Sequence, residues 1–121
     1  MSWIDEFNAL AINDDLVLVH QKAGWKDIKD IGIWNDFVKE VIQDFIKDGM
    51  SIFEPGCGVC AFLLELKKMY PNISIYGSDQ AINTIDFIKN NLPDSEKDHF
   101  TIGEMPKSFE KIKNNTYDIV L

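Results

Sequence analysis

The chain has 121 residues, 45% of them hydrophobic, and 12 basic against 20 acidic side chains give a formal charge of −8. That length and content suit one domain with a packed core, and the acidic balance argues against non-specific binding to nucleic acid or anionic membranes, which needs a basic surface. No run reaches the roughly 20 apolar residues needed to span a bilayer, and "MSWIDEFNAL" lacks the basic start and apolar centre of a secretory signal, so a cytoplasmic domain is expected.

In chain order, "WIDEFNAL" suggests a short helix, and "DLVLVHQKAGW" fits either a strand or a buried helix. Between residues 33 and 46 the apolar side chains are Ile33, Trp34, Phe37, Val38, Val41, Ile42, Phe45 and Ile46. They recur in pairs every four positions, which predicts a helix with one apolar face. Gly49 is the expected stop. From Met50 the pattern changes. "MSIFE" reads as a strand, "CAFLLELKKMY" as a helix ended by Pro71, and "ISIYGSD" as a second strand. "AINTIDFIKNNL" then predicts a helix ended by Pro93, "HFTIG" a third strand, "KSFEKIKNN" a helical turn and "YDIVL" a fourth strand. Alternating strands and helices imply crossover units, hence an α/β fold with a parallel sheet and helices on both faces.

Ligands of such sheets sit at the carboxyl ends of the strands. The first of these turns carries Gly56 and Gly58. Glycine there permits backbone angles closed to other residues and lets a ligand approach the main chain. The helix that follows directs its N-terminal amides at the ligand. Asp79 ends the second strand, at about the spacing from the first glycine that ribose-binding acids keep. Its carboxylate can accept hydrogen bonds from both hydroxyls of a ribose. A turn glycine or a solvated aspartate explains either feature alone; the pair within one strand-helix-strand unit is much less frequent by chance.

With these residues in place, the chain resembles the class I S-adenosylmethionine-dependent methyltransferases. "MSIFEPGCGVCAFLLEL" is similar to their first motif, acid-x-Gly-x-Gly, and "IYGSDQAINTIDFIKNNLP" to their second strand with its ribose-binding acid. "FTIGEMP" resembles the third strand and the turn near the adenine, and "YDIVL" the fourth strand. The likeness covers residues 33–121. It implies a Rossmann-like domain there, incomplete at its C-terminus, preceded by a helical or flap segment over residues 1–32. It also implies S-adenosylmethionine as cofactor, with Glu54 orienting its methionine end and Gly56 and Gly58 lining its path. Asp79 would bind the ribose, Gln80 and Glu104 would meet the adenine edge, and Met105 would pack on the ring. Cys60 stands where many members have a third glycine, at modest expected cost if the helix begins there.

The methyl acceptor expected from the resemblance is a small molecule or a protein, and the catalytic residues are expected beyond Leu121, so none is named. A sheet ending at "YDIVL" would leave an edge that is apolar apart from Asp118 and the tyrosine hydroxyl and prone to self-association, and the 121 residues are expected to be part of a longer protein, inactive alone. Three other readings remain open. Gly56-x-Gly58-x-x-Ala61 also satisfies the dinucleotide fingerprint of an NAD-dependent oxidoreductase, although an acid two residues before the first glycine suits the methyltransferase better. Cys57-x-x-Cys60 opening a helix matches a thioredoxin-like redox site. A non-catalytic cofactor-binding subunit is the third. Two cysteines and two distant histidines offer too few ligands for a zinc centre.

Overall fold

The computed structural model describes residue 5, residues 28–104, residue 107 and residues 117–121. The expected elements in "WIDEFNAL", "DLVLVHQKAGW" and "KSFEKIKNN" lie outside these residues. The described elements run α1 (Ile28–Ile42), β1 (Ser51–Pro55), α2 (Ala61–Met69), β2 (Ser74–Asp79), α3 (Ile82–Asn90), a 3-10 helix (Asp94–His99), β3 (Phe100–Ile102) and β4 (Ile119–Val120).

All four strands are parallel, in the order β3-β2-β1-β4. The first two crossovers step outward on one side of β1, and the chain then returns to β1's other side. That reversal is the topological switch point of a doubly wound sheet, and it opens a crevice beyond the carboxyl end of β1. The fold is therefore the α/β, Rossmann-like parallel sheet expected from the alternating pattern.

Neighbouring register pairs share a face, so Ile52 and Ile75 point one way and Phe53 and Tyr76 the other. On the first face, Leu63 and Leu66 of α2 and Ile85 and Ile88 of α3 close over Ile52 and Ile75, all fully buried. Each such aliphatic side chain contributes about 1.5–3 kcal/mol by leaving water. On the second face the rings of Phe53 and Tyr117 stack at 5.0 Å, those of Tyr76 and His99 at 4.0 Å, and Tyr117 meets Tyr76 edge-on.

Two expectations need correcting. Helix α1 ends at Ile42 rather than running to Ile46. The chain tightens there, with the Phe45 and Ile46 amides both donating to the Ile42 carbonyl, and this turns Ile46 into the core. Gly49 lies beyond that end. Its φ of +83° serves the turn into β1, where its amide donates to the Asn72 carbonyl. The apolar side of α1 is also not a core face as a whole: Ile33 is 60% exposed and Phe37 55%. Its edge is what the fold uses. Ile42 packs on the core, and Lys39 bridges Asp36 at 2.9 Å and Glu65 of α2 at 3.0 Å.

The 3-10 helix had no counterpart in the periodicity, because its six residues are charged or polar. It holds Glu96, whose carboxylate is buried and receives the ammonium of Lys67 at 3.0 Å. The same ammonium donates to the Ile73 carbonyl. Helix α2, the entry to β2 and the segment before β3 are thus tied at one point. Among the described residues no helix is long and apolar enough to cross a membrane.

Candidate functional site

At the switch point β1 delivers Glu54 and Pro55, and the chain then makes three left-handed turns within five residues. Gly56 has φ +63°, Gly58 +54° and Cys60 +61°. Glycine takes such angles freely, whereas a residue with a Cβ is strained there by about 1–2 kcal/mol. The third glycine of the resembling motif is therefore missed in conformation as well as in sequence. Cys60 adopts the glycine-like angle while completely buried, as the residue preceding α2.

The loop is held down from β2. The Cys57 amide donates to the Ser78 carbonyl at 3.0 Å, and the Gly58 amide to Asp79 Oδ2 at 2.9 Å. The other Asp79 oxygen, Oδ1, accepts from the Ala81 amide at 2.9 Å. Asp79 is thus a bracket between the glycine turn and the start of α3. Each carboxylate oxygen has a second lone pair available to a ligand. A Cβ on Gly58 would point into open space, so the main chain is approachable at that turn.

Gly77 is a residue that motif reading passed over. A Cβ there would lie 2.8 Å from the Phe100 ring and 2.9 Å from Cys57 Sγ. The loop can fold onto the sheet only because β2 has no side chain at that place. A glycine inside a strand pattern is itself a sign of close approach, and that signal was available in "IYGSD". Gly77→Ala is expected to destabilise the fold by about 1–3 kcal/mol through overpacking, read as a lower urea midpoint at unchanged m-value.

Glu54 faces Gly77 in register across β1 and β2. Its Oε2 is buried with no hydrogen-bond partner. Burial, and then the nearby charge of Asp79, push its carboxyl up to about 7 from an ordinary 4.5. Because the folded value stands above the unfolded one, the proton contributes stability that is complete below about pH 4.5 and is lost as pH rises through 7. Glu54→Gln, which removes the charge and keeps the shape, is expected to raise stability at pH 8 by about 3 kcal/mol and to leave it little changed at pH 4. Denaturant melts at the two pH values check this. Equal gains at both would overturn the assignment of the charge to Glu54.

Of the residues expected on the adenine side, two are described. Gln80 sits half-buried in the bend after β2. The Gly103 amide donates to the Asp79 carbonyl at 3.0 Å, which sets Glu104 beside Asp79 at the same end of the sheet. Glu104 itself is exposed, 3.6 Å from the ammonium of Lys107. Met105 lies outside the described residues. Among the described residues no group of three or more His, Cys, Asp or Glu side chains could hold a metal ion.

The two cysteines are buried, free thiols. Burial, reinforced by Cys57 and then by the charge of Glu54, pushes the Cys60 thiol up. The nucleophile of a thioredoxin-like site is its first thiol and needs a partly exposed setting; Cys57 is buried, and nothing among the described residues supports that reading.

No protein-family model and no curated protein matches the chain. Among solved structures it is similar to the plantazolicin methyltransferase BpumL, determined with triazolic and with pentazolic desmethylPZN analogs, in both cases together with SAH. The TM-score is 0.53 at 20% identity, over 97% of this chain and 46% of that one. It is also similar to coclaurine N-methyltransferase bound to N-methylheliamine and SAH, with TM-score 0.46, 21% identity, and coverage of 59% of this chain and 20% of that one. The first likeness carries the fold; the second, at that score, adds nothing to it. The chain thus has the class I methyltransferase fold, and it spans less than half the length of the structures it matches.

Proposed function

We propose that this chain, over residues 33–121, is the cofactor-binding unit of an S-adenosylmethionine-dependent methyltransferase. One observation carries the choice among the ligands of such sheets: two carboxylates, Glu54 and Asp79, stand at the switch point, and one of them has a buried oxygen without a partner. A dinucleotide would bring an anionic pyrophosphate to the glycine turn, where the two acids Glu54 and Asp79 offer it no positive charge. A sulfonium amino acid bears positive charge instead. An orphaned buried acceptor beside an approachable glycine turn fits that group.

When bound, S-adenosylmethionine supplies a methyl group activated by its sulfonium centre, for in-line transfer to a nucleophile. The chain's own residues bind and orient. Glu54 accepts from the ammonium of the methionine end. Gly56 and Gly58 let the ligand approach the backbone, and the amides opening α2 lie beyond them. Asp79 keeps its bracket on Gly58 and Ala81 and accepts from the ribose hydroxyls with its remaining lone pairs. Gln80, Glu104 and Met105 form the adenine side. Positioning of this kind is the main contribution a protein makes to such a transfer. The acceptor is a small molecule or a protein, and two reduced thiols suit action in the cytoplasm.

Calorimetric titration of the chain with S-adenosylmethionine, S-adenosylhomocysteine and NAD tests the reading. Saturable binding of the first two, and none of NAD at equal concentration, is expected. Binding of NAD alone would move the assignment to the dinucleotide enzymes.

A further inference from the structure

Glu54 does more in this arrangement than mark one end of the site. Among the described residues, every element packed around it leaves its charge uncompensated. From β2 comes Asp79, a second carboxylate, and from the glycine turn comes the thiol of Cys60. From the β4 side come Val120 and Leu121, both apolar, with the Leu121 amide committed to the Phe53 carbonyl at 2.9 Å. The amides of Cys57, Gly58 and Cys60 are committed as well, to Ser78, to Asp79 and to the Cys57 carbonyl. The anionic form of Glu54 therefore has a buried oxygen with no donor and a like charge nearby.

We propose that Glu54 is a proton-exchanging selector for cationic ligands: below neutral pH the free protein holds it as the neutral acid, and a ligand bearing an ammonium group is then taken up in exchange for its proton. This rests on the cofactor reading above. In the exchange the Glu54 O–H bond breaks, the proton passes to buffer, and the carboxylate left behind pairs with the incoming cation. No other co-reactant is needed. The ion pair forms in a desolvated setting, where it is stronger than in water. A neutral or anionic ligand has nothing to offer for the proton, and it meets a site that resists becoming charged. Selectivity for charge thus comes from the folded position of one carboxyl group, and the raised proton affinity of Glu54 fixes the pH range in which the exchange is visible.

The test is calorimetry on the whole chain at pH 5.5, 6.5 and 7.5, each in two buffers of different ionisation enthalpy. S-adenosylhomocysteine is the first ligand, because it keeps the ammonium and lacks the sulfonium. S-adenosylmethionine is the second. At pH 5.5 the buffer dependence of the heat should report close to one proton released per ligand bound, falling toward none as pH passes about 7. Affinity should rise roughly tenfold per pH unit up to about pH 6.5 and then level. Glu54→Gln should bind more weakly at pH 7.5, with no proton released and no such slope. Binding by the unaltered chain without proton release overturns the proposal and leaves the cofactor reading standing, as does a Glu54→Gln variant that still releases the proton. Absence of binding by either ligand at every pH removes the cofactor reading, and this proposal with it.

Discussion

Replacing Asp79 with alanine is expected to weaken S-adenosylmethionine binding by about 2–4 kcal/mol, through the loss of two charge-assisted hydrogen bonds to the ribose. Part of the effect is indirect. Asp79 also accepts from the amides of Gly58 and Ala81, so its removal frees the glycine turn as well as the ribose hydroxyls. Asp79→Asn separates the two contributions. The amide keeps one oxygen for a bracket bond and loses the charge, so its affinity should fall between the parent and the alanine variant. Calorimetry measures the affinities, and a urea melt of each variant gives the folded fraction by which they are corrected. An alanine variant that is folded and binds with unchanged affinity would falsify the role of Asp79.

Lys67→Ala is expected to destabilise the fold by about 3–5 kcal/mol, the cost of leaving a buried carboxylate without its partner. The side chain of Glu96 is only 6% exposed, and that of Lys67 24%, so solvent cannot replace the lost ammonium at the carboxylate. Its second oxygen is already buried without a hydrogen bond. The Ile73 carbonyl loses a donor in the same variant. Pairing Lys67→Met with Glu96→Gln removes both charges while keeping most of the volume, and it should recover much of the loss. A double-mutant cycle from chemical denaturation reads the coupling directly. If Lys67→Ala alone left the midpoint unmoved, the tie between α2 and the 3-10 helix would be incidental to stability.

Much of the fold was legible because its signals are local. The alternation of short apolar runs with helical ones from Met50 onward reflects periods of two and of nearly four residues, and no distant contact is needed to see either. Strands and helices accordingly fell within a residue or two of their expected places from β1 to β3. The order Glu54, Gly56, Gly58, Asp79 was legible for the same reason. All four belong to one strand-helix-strand unit, and parallel pairing of β1 with β2 must return the end of the second strand to the end of the first.

Tertiary structure decided whatever depends on which segment covers which. A period near four says that residues 33–46 have an apolar side; it cannot say that Ile42 and Ile46 reach the core while Ile33 and Phe37 stay outside. Gly77 is indispensable because Phe100 and Cys57 arrive over it from other parts of the chain. Cys60 takes a left-handed angle between the Gly58 amide held by Asp79 and the start of α2, a position periodicity cannot foresee. Glu96, in a stretch that reads as solvated, is buried and paired with Lys67 of α2. The proton affinity of Glu54 belongs to the same class. Its sequence position named it as an acid at a strand end, but the energy of a charge is set by the water excluded around it and by the other charges within reach, and only the folded chain determines those.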